Sequence, residues 1–181
     1  MLPGEYEARL TVDDTTVTQR FAILPDSRLP VTPEELRAQF DLKRKISDEI
    51  DEVHRTVNQI RRLRKQVASW EERAKAGTGH ESIVEAAGPL KEKFTALEGE
   101  MTNPEPDKPE PGPARIKEKL ATLSEMVDES DDAPTQGAFE VFATLSEQAA
   151  TVRRQLQELL DGDVAAFNKL VQTAGLPAVG E

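Results

Sequence analysis

Cysteine is absent from the 181-residue chain. Disulfides, thiolate metal sites and cysteine nucleophiles are therefore excluded. Aromatic residues make up only 4%. With so few large rings, an interior has to be aliphatic and thin, as it is between helices packed side by side. No run is long and apolar enough to span a membrane. A basic surplus is missing too, with 23 Lys and Arg against 34 Asp and Glu, a net charge of −11. Such a surface is ill suited to general nucleic-acid binding, which needs cations facing phosphates. Met1-Leu2-Pro3-Gly4 has neither the charged start nor the apolar stretch of a signal peptide. Any export signal is thus expected upstream.

What charge there is lies unevenly. Residues 33–76 hold eleven Lys and Arg against nine Asp and Glu, whereas residues 77–181 hold nine against twenty. Charged residues are 31% of the chain, the proportion expected of long solvated helix faces.

Residues 1–24 read as a β-hairpin. Tyr6, Ala8, Leu10 and Val12 alternate with Glu7, Arg9, Thr11 and Asp13, and Val17, Phe21 and Ile23 follow an Asp13-Asp14 turn. Alternation with period two on both sides of a turn is the hairpin pattern. The turn lacks the glycine that favours type I′. A lone hairpin is marginal in water, so these strands need a partner, either the helices or further strands. Pro3-Gly4-Glu5-Tyr6 opens like a late strand of a β-sandwich, which suggests a chain that starts in the middle of a longer protein.

Residues 25–31 read as a linker. Thr32, Pro33 and Glu35 then give an N-cap, a first-position proline and a capping box. A long helix from about Thr32 to Ala76 follows, with Leu36 and Phe40 leading into its apolar face. From Ile46 through Ile50, Val53, Val57, Ile60, Leu63, Val67 and Trp70 to Ala74, the spacing is nearly that of a heptad seam. Gly77 and Gly79 end it.

Thr78 and Glu81 form a second capping box on paper, ahead of a seam at Ile83, Ala87, Leu90, Phe94, Leu97 and Met101. A kink or restart is expected at Gly88-Pro89. The Pro-rich segment 103–113 reads as an exposed loop. A third helix starts at Pro113 with Ile116, Leu120, Leu123 and Val127 on one face. After an acidic turn at 128–134, a fourth carries Phe142, Leu145, Ala149, Val152, Leu156 and Leu159. Gly162 is expected to stop it and Asp163 to cap a short last helix bearing Phe167, Leu170, Val171 and Ala174, before Leu176-Pro177 ends the fold. The fold class is therefore mainly α: an antiparallel bundle of three long legs over 32–181, its middle leg interrupted, preceded by a hairpin left from a β-sandwich-like segment. An intramolecular, monomeric bundle is favoured over an oligomer.

Chemistry is harder to find. His54 follows Asp51 and Glu52 on the long helix, but a metal site needs three or more convergent ligands; it reads as a surface histidine. His80 falls in the break between helices, with a local or cap-associated role. The pairs Glu34-Glu35 and Glu71-Glu72 sit on helix surfaces, without the cleft or the raised pKa that glycosidase carboxylates need. Trp70 reads as a core cap rather than a sugar platform. The basic cluster Arg61, Arg62, Arg64 and Lys65 could meet phosphate, an acidic partner or a headgroup, but it has no interleaved aromatics, so an intramolecular or solvated role outranks nucleic-acid binding. No catalytic, cofactor or metal residues are assigned.

Three stretches together resemble a known junction. These are Pro3 to Asp13 with the second strand ending near Ile23, then Asp26-Ser27-Arg28, then Thr32 to Phe40. Asn58-Gln59-Ile60-Arg61-Arg62-Leu63-Arg64, Asp163 to Leu170 and Ala174-Gly175-Leu176-Pro177 extend the likeness. The whole is similar to the C-terminal region of bacterial BNR-repeat, sortilin-like β-propeller proteins, often labelled glycosyl hydrolases or sialidase-like. Asp13-Asp14 departs from that family's Asp-Gly turn. The resemblance implies a non-catalytic C-terminal accessory module of a larger exported protein, periplasmic or extracellular, whose partner is its own upstream propeller or another protein. It also admits the tail of a glycosyl hydrolase whose active site lies upstream. The near-heptad seam offers a different alternative, a self-associating coiled-coil adaptor.

Overall fold

Thr32 starts the spine of the molecule. In the computed structural model its hydroxyl accepts from Glu35 N at 3.2 Å, and Glu35 Oε2 accepts from Thr32 N at 2.8 Å. This closes a reciprocal capping box, with Pro33 at the first helical position. The structure describes residues 2–103, 112–129 and 132–175. Most of the Pro-rich segment, part of the acidic turn and the Leu176-Pro177 end lie outside them.

Two strands precede the spine, β1 (Gly4–Val12) and β2 (Thr15–Ile23), paired antiparallel with Val12 opposite Thr15. The two-residue loop is Asp13-Asp14. Asp13 has φ 52° and is the sole non-glycine with positive φ among the described residues. A type I′ turn needs positive φ at both loop residues, so this is not one; Asp tolerates the left-handed region at the single position that requires it.

The helices are α1 (Pro33–Ala76), α2 (Glu81–Met101), α3 (Ile116–Asp128), α4 (Gln136–Leu159) and α5 (Ala165–Thr173), with a π-helical turn at Leu160–Val164 joining the last two. The chain is mainly helical with an N-terminal hairpin, as its pattern predicts. Cross-links set the order of the legs. Arg61 of α1 meets Glu98 of α2, while Gln39 of α1 reaches Val127 of α3. As α1 is followed backwards, the chain of α2 and α3 runs forwards. The two therefore form one broken leg antiparallel to α1. Arg153 of α4 pairs with Glu49 of α1, and Asp163 in the π turn pairs with Lys93 of α2. The third leg thus runs parallel to the spine.

One continuous aliphatic core joins all three legs. Ile46, Val53, Val57, Ile60 and Val67 of α1 are buried with Ile83, Leu90 and Phe94 of α2, Leu120 of α3, and Val152 and Leu156 of α4. Near its start the buried stripe of α1 differs from expectation: Gln39 and Leu42 are buried, whereas Leu36 and Phe40 are only half-buried. Gln39 is tolerated there because its Nε2 donates to Val127 O at 2.7 Å, satisfying a carbonyl at the end of α3.

Four expected boundaries move. Helix α2 begins at Glu81 with His80 as N-cap, so Thr78 caps nothing. It runs through Gly88-Pro89 without a restart. Proline inside a helix costs about 3 kcal/mol, but burying each of Ile83, Leu90 and Phe94 is worth about 1.5–3 kcal/mol. Packing therefore wins. Helix α3 starts at Ile116 rather than Pro113, because Glu118 Oε2 accepts from Arg115 N at 3.0 Å and fixes the first turn there. Gly162 does not end the third leg. A glycine in a helix costs about 1 kcal/mol, and buried Phe167 and Val171 beyond it offset that. The chain passes Gly162 in the π turn and continues.

Candidate interaction surfaces

Half of the basic cluster is engaged inside the bundle. Glu98 is only 2% exposed. Arg61 Nε lies 2.6 Å from its Oε1, and Arg64 Nη1 lies 2.7 Å from its Oε2, although out of line for a hydrogen bond. Arg64 also donates to Thr95 Oγ1 at 3.1 Å. Arg62 and Lys65 remain on the exposed face of α1. The cluster thus splits by helical phase: two cations hold α2 and two face solvent.

Glu71 corrects the reading of Glu71-Glu72 as a surface pair. Glu71 is buried and Glu72 is exposed. Glu71 accepts from Lys91 of α2 and lies 3.0 Å from Lys75 Nζ. The bond from Lys91, followed by that from Lys75, holds its carboxyl below the usual carboxylate range against the opposing effect of burial. Glu34 is exposed, and Glu35 is committed to the Thr32 cap. Neither acidic pair shares a cleft.

His54 sits on the exposed face of α1. His80 is the N-cap of α2: its carbonyl accepts from Ile83 N at 3.0 Å, and its ring lies over Gly77, where a β-carbon would come within 2.8 Å of it. Its side chain does not cap the helix. Trp70 is half-buried against the core with the Arg73 guanidinium 5.0 Å from its ring centroid. Among the described residues no cluster of three or more His, Cys, Asp or Glu could hold a metal ion, and no helix is long and apolar enough to cross a membrane.

Two apolar surfaces stand out among the described residues. The first is the hairpin. Its register puts Tyr6 opposite Phe21, Leu10 opposite Val17 and Val12 opposite Thr15 on one face. That face is open: Leu10 is 65% and Val17 62% exposed. Tyr6 and Phe21 stack at 5.9 Å, and Tyr6 Oη donates to Leu2 O at 2.5 Å. The opposite face is polar, with Arg20 Nε 3.7 Å from Glu7 Oε2 and the Thr11 and Thr16 hydroxyls 3.1 Å apart. The hairpin is therefore amphipathic, with its apolar side out. The second surface is an apolar groove of about 690 Å³ between α3 and α4, floored by Leu123, Val127 and Leu145 and flanked by Met126 and Val141. The sequence reading missed this groove. Its signal was Met126 and Val141, two apolar residues off the seams.

Comparison with family models, with curated proteins and with solved structures finds no match to this chain.

Proposed function

We propose that this chain is a non-catalytic accessory module that docks through its hairpin onto a β-rich domain of a larger protein. The observation that carries the reading is the open apolar face made by Tyr6, Leu10, Val12, Val17 and Phe21. An isolated two-stranded sheet is marginal in water. A sheet with one apolar and one polar face is built to lie against a second apolar layer. Nine-residue strands are ~30 Å long and ~5 Å apart, so the face covers only about 300 Å². Two such faces bury about 600 Å², half of what a stable association between separate molecules needs. A sheet in the same polypeptide escapes that limit, because tethering supplies a high effective concentration.

The resemblance in the strands, the Thr32 start and the Asp163–Leu170 segment makes a BNR-repeat, sortilin-like propeller protein the proposed parent, and an exported location follows from it. Within that parent, any glycosidase activity belongs upstream. The coiled-coil adaptor reading is weaker, because the seam it would use is buried against α2, α3 and α4.

The test begins with the parent reading frame, which should encode β-propeller repeats before this segment. Hydrogen exchange of the chain alone and of the chain joined to its upstream domain then follows. Protection of residues 4–23 should rise at least tenfold on joining while α1 stays unchanged. A reading frame without an upstream β domain, or unchanged hairpin protection, would sink the proposal.

A further inference from the structure

A sheet has edges as well as faces, and the two edges of the hairpin differ. Its loop holds two residues, so the closing pair Val12–Thr15 is one that exchanges backbone hydrogen bonds. Bonded pairs then alternate with non-bonded ones along the register. Thr11–Thr16, Arg9–Thr18, Glu7–Arg20 and Glu5–Ala22 are the non-bonded pairs, and their N–H and C=O groups point away from the partner strand. The outer edge of β1 therefore presents Glu5, Glu7, Arg9 and Thr11. That of β2 presents Thr16, Thr18, Arg20 and Ala22.

The two rows are guarded unequally. On β1 three of the four outward residues are charged, with Glu7 Oε1 accepting from Arg9 at 3.2 Å. Charged side chains are a common protection against pairing at an edge. On β2 Arg20 is the only charge, and its Nε lies toward Glu7 Oε2 at 3.7 Å. Six of the nine β2 residues are β-branched or aromatic, against three of nine in β1. Such residues suit strands because they pack against cross-strand neighbours. Proline and bulges also blunt edges, and neither interrupts β2 over its nine pairs. Four N–H and four C=O groups thus stand in an unguarded row.

An extended backbone repeats donor and acceptor at the spacing of that row. We propose that β2 pairs through its outer edge with a strand of the domain on which the hairpin docks, so that the hairpin extends that domain's sheet and β1 becomes the outermost strand. This rests on the docking reading above and adds to it the edge and the partner element. Main-chain bonds at Thr16, Thr18, Arg20 and Ala22 would supplement the small apolar face. A second copy of this chain fits poorly. Two molecules of net charge −11 repel each other. Joining two hairpins edge to edge would also leave Leu10 and Val17 of both as open as they are now.

Residue-resolved hydrogen exchange by NMR tests it, on the chain alone and on the chain joined to its upstream domain. On joining, the amides of Thr16, Thr18, Arg20 and Ala22 should gain about tenfold more protection than those of Glu5, Glu7, Arg9 and Thr11. Arg9 and Thr18 face each other, and Arg9→Pro or Thr18→Pro each removes one outward N–H without breaking a bond of the hairpin. Thr18→Pro should reduce the β2 gain about fivefold, whereas Arg9→Pro should leave it within about twofold. Cross-strand contacts between Leu10 and Val17 in the chain alone check that each variant keeps the hairpin, and the wild-type comparison decides even if one does not. A gain equal on both edges, or larger on β1, would overturn the edge pairing. The docking reading would survive that result if the inward amides of Ala8, Leu10, Val17 and Gln19 still gained; no gain there would sink both. Protection of the β2 edge that grows with concentration in the chain alone would make the partner a second copy and also overturn the proposal.

Discussion

Arg61 Nε lies 2.6 Å from Glu98 Oε1 across the α1–α2 interface, one partner half in solvent and the other almost fully buried. The asymmetry decides what each substitution does. Arg61→Ala with Arg64→Ala strands a buried carboxylate and should cost about 3–5 kcal/mol of stability. Glu98→Leu removes the buried charge itself and should cost much less. In the double-arginine background, Glu98→Leu should recover much of the loss. Urea unfolding of the wild type and these three variants checks this.

Glu71 gives a pH dependence. Its folded pKa is lowered from 4.5 by the bonds from Lys91 and Lys75. A group with a depressed folded pKa adds stability that is fully present above its unfolded value and lost as the pH falls through its folded value. Glu71→Gln should therefore lower the melting temperature at pH 7. The gap to the wild type should narrow below about pH 4.5 and close in stronger acid. Thermal melts from pH 3 to 7 read this directly. A gap that persists unchanged at pH 3 would mean that the carboxylate charge is not what matters.

Gly88 and Pro89 sit inside α2, and a β-carbon at Gly88 would meet nothing within 4 Å. Gly88→Ala should stabilise by about 1 kcal/mol, and Pro89→Ala by up to about 3 kcal/mol. Together these correspond to a rise of up to about 8–16 °C in melting temperature, at about 2–4 °C per kcal/mol for a chain this size. Gly77→Ala should do the opposite, since its β-carbon would meet the His80 ring at 2.8 Å.

The hairpin should be energetically detached from the bundle. Leu10→Lys with Val17→Lys should leave the melting temperature within about 1 °C, because surface changes away from the core are worth about 0.5 kcal/mol or less. Backbone amides of residues 4–23 should exchange much faster than those around Ile46 to Val67. Calorimetry and hydrogen exchange on the same pair of proteins test both statements.

Where packing follows periodicity, the fold was legible. The α1 seam from Ile46 to Ala74, the Thr32 capping box and the β1–β2 alternation all appear in the structure. Local breaker signals misled. Gly162 and Thr78 speak only for a few residues of backbone, while the burial of Phe167 and Ile83 is settled by packing between legs. Gln39 and Glu98 were illegible for the same reason. A polar residue on an apolar stripe declares itself only once its partner, here Val127 O or the Arg61 guanidinium, arrives from far along the chain. The groove at Met126 and Val141 was hidden because it belongs to two helices at once.

The unbroken run from Pro33 to Ala76 has a mechanical meaning as well. Its 44 residues make a rod of about 66 Å, stiffened along its length by the two shorter legs. A tilt of about 5° where Thr32 enters the helix would swing the far tip by roughly 6 Å over such a length. The packed rod therefore fixes the separation of its two ends, and any rigid rotation of the bundle about Thr32 shows most at the Gly77–His80 turn.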